Sequence, residues 1–432
     1  MRNYIMRHER KKGREHRSLH VVEFWHPKRD VSHRNVPGMS SRSRHESAFR
    51  EKLRNRERKE KLVFKYNMHR EAPRDERERV HVKVTFQLTV LINTDCTINL
   101  VTKVLSIVLL MFVCVLKYNI FFFNADKMKL LMDLMWYHWT IIQDKREIAI
   151  LEKHSRFTRR FTMVMTQIFS LGICVVAAGH CLPAILDIIV PLNSSRPRHF
   201  YILMEYFVDQ ERYFLPILLH VIVSLSVGSI IILSVGTMIM AYMQHACAML
   251  KIASFRIGNA VPDSAQTSFS RNDVICERII SGVQIHRKAI EFIDLILSNF
   301  KVPFFFVMSA GVASIAFSIL QVFVALLEKD MNEIIITIIF VIVQFFYMYI
   351  GNYAGQLVAD HYIEVFDVAY CSYWYVAPLR AQKFLLFIMQ RTTKNFYFVF
   401  GGIFMVSLKG FSTLASMSIS YFTVIYSFVY TR

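Results

Sequence analysis

The chain has 432 residues, 54% of them hydrophobic and 14% aromatic, with only 14 Gly and 10 Pro and a formal net charge of +19. That composition excludes a disordered chain, a collagen-like repeat and a disulfide scaffold. The charge is uneven: residues 1–99 hold 25 of the 52 Lys and Arg but 13 of the 33 Asp and Glu, so a basic region precedes an oily body.

Taken in order, the basic region comes first. Ser47 to Lys65 mixes Glu, Arg and Lys at helical spacing behind Ser47 as an N-cap, on a composition that otherwise reads as a solvated, disordered segment. It has no aromatic platform and no zinc-ligand spacing, so no nucleic-acid partner is expected. Its first 60 residues contain no apolar run to form the core of a cleavable leader, and insertion is expected to rely on internal spans. Val80 to Ile92 alternates apolar and polar residues like a strand and makes a poor membrane helix.

The body is built of long stretches without Asp, Glu, Lys or Arg. Phe161 to Leu186 runs 26 residues, Tyr213 to Leu250 runs 38, and Val302 to Leu327 and Ile334 to Ala359 run 26 each. Asn395 to Thr431 is broken only by Lys409, and Leu100 to Phe123 only by Lys103 and Lys117, which are expected to reach the headgroups. A helix crossing the hydrocarbon core needs about 20 such residues. Six spans are therefore predicted, at about 100–123, 162–190, 213–243, 302–327, 334–357 and 396–430. The fold class is all-α, a polytopic membrane helix bundle over 100–432 behind an atypical region at 1–99. Seven cysteines without CxxC pairing read as small core residues.

Loop charge orients the bundle. Asn124 to Arg160, Lys251 to Lys301 and Asp360 to Lys394 hold eight, seven and four Lys and Arg, nineteen in all, against five in the alternate loops. Positive loops stay in the cytoplasm, which puts the C-terminus outside. The sequon at Asn193 falls in a loop sorted to the outside and is a candidate glycosylation site. One span before a cytoplasmic loop puts the basic region outside, in conflict with the same rule.

Few ionisable residues lie within the spans. His180 and Asp187 are two turns apart on one helix face and His220 is on the next span, a set for a metal site or proton relay; hydration near the outer interface is the reading favoured for all three. No HExxH, GxSxG or P-loop motif occurs, so no catalytic residue, metal or cofactor is assigned and an enzyme is not expected. Helices rich in Phe, Met, Ile and Val on all faces, with scattered Ser, Thr and His, suit an apolar cavity for a small volatile or lipid-like ligand.

From Gly355 onward, over about 75 residues, the chain carries a recognisable pattern. It runs Gly355-Gln356, Asp360-His361, Val365-Phe366-Asp367-Val368-Ala369-Tyr370, Trp374-Tyr375 and Ala377-Pro378-Leu379-Arg380. It continues through Leu385, Met389-Gln390-Arg391-Thr392-Thr393-Lys394, Gly401-Gly402, Ser407-Leu408, Phe411 and Ser420-Tyr421-Phe422-Thr423-Val424. This resembles the C-terminal signature of the insect odorant receptors, with departures at Lys409, where an acid is usual, and Asn395, where proline is common.

The resemblance implies seven helices, a cytoplasmic N-terminus and an extracellular C-terminus in the plasma membrane, with the first helix missing here or replaced by residues 1–99. It further implies a tuning subunit of an odorant-gated non-selective cation channel, assembled with a shared co-receptor into a heterotetramer. By that likeness the last helix lines the pore through Ser420, Val424 and Phe428. The subunits meet through Trp374, Tyr375, Leu385, Phe387 and Met389. The odorant sits in the outer half of the bundle, for which depth alone selects Val176, His180, Ile185, Phe214, His220, Ser224, Ile338 and Phe340. Two alternatives stand beside it: a heptahelical receptor signalling through a cytoplasmic partner, and a membrane-embedded enzyme.

Overall fold

The computed structural model describes residues 98–189, 212–261, 269–329, 331–393 and 396–430, without the side chains of 98–100, 182–189, 269–271, 332 and 429–430. The basic region to residue 97 and the Asn193 sequon lie outside the described residues. In chain order the elements are α1 (Ile98–Phe123), α2 (Ala125–Ile141), α3 (Lys145–Ile189), α4 (Phe214–Gly258), α5 (Phe269–Glu328) and α6 (Met331–Cys371). A 3₁₀ turn (Trp374–Val376), α7 (Leu379–Thr392), a hairpin of β1 (Phe398–Phe400) and β2 (Phe404–Val406), and α8 (Leu408–Tyr430) complete it.

Helices α3 to α6 are 45, 45, 60 and 41 residues long, far more than the roughly 20 that cross a bilayer. At about 1.5 Å per residue α5 alone extends some 90 Å. The excess lies at one end of each helix, the end that carries the charged residues 145–160, 251–258, 269–301 and 360–371. At this basic end α2 and α7 close the bundle, and the main core fills it: Leu131, Leu151, Leu250, Ile252, Ile279, Phe292, Val365 and Leu385 are all buried there.

Polar contacts fasten the same end. Arg256 on α4 grips Glu147 on α3 with two hydrogen bonds of 2.6 and 2.7 Å and donates a third to Ser281 on α5 at 2.8 Å. Lys251 pairs with Glu364 across α4 and α6. His138 on α2 stacks on His245 of α4 with ring centroids 5.2 Å apart and ring nitrogens at 3.0 Å. Burial, helped by the nearby Lys288 charge, pushes the His138 imidazole down to about 4.

In the opposite, apolar half α5 is central, packed against α1, α4, α6 and α8. Of its most apolar window 44% is buried, against 6% for α3 and α6, which turn most of their apolar surface outward. Five described helices, α1 and α3 to α6, are long and apolar enough to cross a membrane. The sixth span expected from sequence is only partly realised. Residues 398–406 form a hairpin, and α8 beyond it has 23 residues of which ten are Ser, Thr or Tyr. The hairpin is possible because Gly401 and Gly402 take positive φ values of 62° and 80°, as a tight turn requires.

The two lysines of α1 also depart from expectation. Lys117 does not reach a headgroup: it is 3% exposed, donates to the Tyr347 hydroxyl at 2.7 Å and lies 3.9 Å from the centre of that ring. A desolvated ammonium gains from an aromatic face as well as from a hydrogen bond. Lys103 pairs with Glu333 at 2.7 Å, beside Glu328 at 3.6 Å, and so ties the end of α1 remote from the basic end to the α5–α6 junction. Ser106 and Gln321 extend that contact by hydrogen bonds of 2.8 and 3.4 Å.

Candidate ligand site and conduction face

The residues selected by depth lie on α3, α4 and α6 at the end opposite the basic one. Helix α4 packs against both α3 and α6 and so brings the three together. Its inward stripe is Phe214, Ile217, Leu218, Val221 and Ser224, all buried. The Ser224 hydroxyl is fully buried and has no hydrogen-bond partner among the described residues, which leaves a polar point in an apolar wall. On α3, His180 is buried and its Nδ1 donates to the Val176 carbonyl at 2.8 Å, while Val176 and His220 are half-buried. The side chains of Ile185 and Asp187 lie outside the described residues. Ile338 belongs elsewhere: it stands with Ile335, Ile339 and Ile342 on the outward face of α6, and Phe340 is half-buried. Depth put Ile338 in the set, and helix rotation removes it.

Helix α8 has two unlike faces. Phe422 and Tyr426 turn inward onto Phe323 of α5, at 6.2 and 4.7 Å between ring centroids. Ser420, Val424 and Phe428 turn the other way; Val424 is 67% and Phe428 66% exposed, and the Ser420 hydroxyl is held by its own helix through the Ser416 carbonyl at 2.9 Å. The predicted stripe thus shares one face, directed away from its own bundle.

The start of α8 is bolted to α6 by residues that sequence reasoning quoted as signature but gave no task. Ser407 caps the helix, its Oγ accepting from the Gly410 amide at 3.0 Å, and the Leu408 amide donates to Gln356 Oε1 at 3.2 Å. Gly355 admits the hairpin: a Cβ there would fall 2.6 Å from the Val406 carbonyl oxygen and from its Cγ1. Gly410 is tighter still, since a Cβ would overlap the Met405 carbonyl. Phe400 stacks on Phe304 and Phe404 packs on Phe305, which fixes the hairpin to α5.

The five interface candidates divide. Tyr375 and Phe387 are each 62% exposed and stand with Tyr370, Leu379 and Leu386 in an apolar patch at the basic end. Trp374 is half-buried against the core. Leu385 and Met389 are buried within the chain's own core, because α7 sends Ala381, Leu385, Ile388, Met389 and Thr392 inward at helical spacing. They support the patch from behind and do not belong to its surface.

The sequence profile of the family described as 7tm odorant receptor matches residues 97–419. Among solved structures the chain is similar to the insect olfactory receptor OR5 from Machilis hrabei in complex with eugenol. The TM-score is 0.59 at 13% identity, over 80% of this chain and 86% of that one. It is likewise similar to the structure of the same receptor described without eugenol, with a TM-score of 0.54 at 10% identity and the same coverage. No curated protein matches. At these identities the likeness speaks for the fold.

Proposed function

The chain belongs to the 7tm odorant receptor family, a multi-pass membrane receptor and not an enzyme family, and on that premise we propose that it is a tuning subunit of an odorant-gated non-selective cation channel. In this reading the basic end faces the cytoplasm, the C-terminus is extracellular, and the chain works in the plasma membrane beside a co-receptor in a heterotetramer. The observation that carries it is the outward stripe of α8: Val424 and Phe428 are large, apolar and about two-thirds exposed, on a helix of which ten residues are Ser, Thr or Tyr. Facing the same helix of neighbouring subunits across an axis, they form an apolar constriction that excludes water and ions when closed. The patch around Tyr375 and Phe387, with Trp374 and the buried Leu385 and Met389 behind it, supports assembly at the cytoplasmic end, where aromatic anchors are effective.

The Machilis receptor is described with eugenol, an aromatic volatile. For this chain the proposed pocket lies among α3, α4 and α6, walled by Val176, His180, Phe214, His220 and Phe340, with the Ser224 hydroxyl as its hydrogen-bonding point. Such a pocket binds by burial, at about 25 cal/mol per Å² removed from water, and one hydroxyl selects among volatiles of similar shape. Binding opens the channel only to the extent that the open state holds the odorant more tightly.

Co-expression with the co-receptor and current recording against a volatile panel tests the reading. Odorant-evoked currents that Ser224→Ala shifts in potency are expected, together with staining of a C-terminal tag in unpermeabilised cells. A tag reached only after permeabilisation overturns the orientation, and surface-expressed receptor silent to every volatile overturns the channel role.

A further inference from the structure

At the basic end, away from the proposed odorant pocket, a cavity of about 220 Å³ opens between α2, α3 and α4. Its floor is the α3–α4 seam, where Ala241 and Ala248 leave room, and its apolar walls include Trp139 of α2. Its polar lining is His154, Ser155, Thr158, Arg159, Gln244 and His245, of which Thr158 donates to the His154 carbonyl at 3.2 Å and His245 is paired with His138. His154 Nδ1 donates to Gln244 Oε1 at 2.8 Å, which leaves the Gln244 amide nitrogen, on a side chain 5% exposed, without a partner among the described residues. Arg159, the one formal charge in the lining, stands exposed at the mouth.

The level of this cavity identifies its occupant. Arg159 and Arg160 are the last charges of α3 before the charge-free run that begins at Phe161, and Ala241 to Ala248 are the last turns of the charge-free run of α4. The cavity therefore straddles the boundary where phospholipid headgroups lie. Lys153, Arg156, Arg159 and Arg160 line the exposed side of α3 there, and none makes an ion pair among the described residues. Phe157 among them, and Met163 and Val164 directly beyond, are exposed and apolar, a surface for acyl chains. Loop topology alone accounts for cations at this level; it does not account for a chamber behind them that presents the Gln244 amide nitrogen.

We infer that the cavity between α2, α3 and α4 is a binding site for an anionic phospholipid, whose phosphate is held by Arg159 and the Gln244 amide while its chains run along α3. Which leaflet supplies the lipid rests on the orientation proposed above; the binding itself does not. The occupant ties α2, which carries no hydrophobic span of its own, to the α3–α4 pair, and so links lipid composition to the packing of the cytoplasmic bundle.

The test uses the full chain in detergent micelles supplied with equal amounts of dioleoyl phosphatidic acid and dioleoyl phosphatidylcholine, with lipid adducts counted by native mass spectrometry. Phosphatidic acid adducts are expected to dominate. Arg159→Gln should weaken them about fivefold, the scale of one cation beside an anionic headgroup, and Arg159→Lys should restore most of the loss. Ala241→Phe, which fills the chamber, should abolish the preference in protein that remains monodisperse. Where that variant aggregates, quenching of Trp139 by brominated phosphatidic acid, in a chain that keeps Ala241 and has Trp25, Trp136 and Trp374 replaced by Phe, reads occupancy of the same chamber. Equal adducts of both lipids, no quenching, or a preference that survives Ala241→Phe would overturn the site, the last by reducing it to surface charge. Loss of the adducts to millimolar inorganic phosphate would overturn the lipid as occupant.

Discussion

Replacing Gly410 by alanine probes the joint between α8 and the rest of the bundle. The new Cβ would lie 2.8 Å from the Met405 carbonyl carbon and closer still to its oxygen, and ordinary contact begins at 3.4 Å. The opposing atoms are backbone, so no side chain can swing aside. At least 0.6 Å of separation, from 2.8 to 3.4, must come from moving the first turn of α8 away from the hairpin. That movement acts on the two bonds that hold the helix start, Gly410 to Ser407 Oγ at 3.0 Å and Leu408 to Gln356 Oε1 at 3.2 Å. Loss of a cap and of one further hydrogen bond costs about 1 kcal/mol each, and forced overpacking adds roughly 1–3 kcal/mol. A total of about 3–5 kcal/mol falls on the helix that carries Val424 and Phe428. Thermal unfolding of the purified receptor, followed by near-ultraviolet circular dichroism, should show Gly410→Ala well below wild type and Gly402→Ala only slightly lowered. At Gly402 a Cβ meets nothing within 4 Å and only the positive φ opposes it, at about 1–2 kcal/mol. In recordings with the co-receptor, Gly410→Ala should alter gating even where surface expression is kept by low-temperature culture. Equal melting of Gly410→Ala and wild type would refute the reasoning, because the close approach would then not exist.

Two further outcomes follow from the basic end. Glu147→Ala strands the Arg256 guanidinium, which has lost a bidentate partner in a largely buried place, and should destabilise the receptor by about 3–5 kcal/mol, read as a lower melting temperature and reduced surface staining. His138 binds its proton more weakly folded, at about 4, than unfolded, at 6.5, so between those values the unfolded chain holds more protons. Stability is therefore full above 6.5 and falls as the pH drops towards 4, by about 3 kcal/mol over the window. Melting curves at pH 7.5 and 5 should differ by about 2 kcal/mol from this group, and His138→Leu should reduce the difference, while His245 and His286, also pushed down by burial, keep a remainder.

Much of the membrane architecture was legible because charge is so costly in hydrocarbon: runs such as Phe161 to Leu186 admit few other readings. The hairpin escaped because Phe398 to Val406 is as free of charge as the helix after it, and hydropathy does not distinguish a strand from a span. The Gly401-Gly402 pair was the available signal. Likewise Lys117 looked like an interfacial lysine until Tyr347, 230 residues away in sequence, proved to be its partner. Leu385 and Met389 were separable from Phe387 by the four-residue period of α7 alone. Ile338 was not separable, since α6 is apolar on every side and gives no rotational signal. The lipid cavity is assembled from three helices, and no single stretch of sequence announces it.

The central claim is that the outward stripe of α8 borders an ion path. Val424→Cys, co-expressed with the co-receptor and exposed from outside to a positively charged thiol reagent during odorant-evoked current, tests it most directly. The account predicts progressive, irreversible loss of current that is faster while odorant is present, with the wild type, whose Cys174 and Cys371 are exposed elsewhere, left unaffected. Current that persists at full size after the thiol at 424 is shown to be labelled would contradict it.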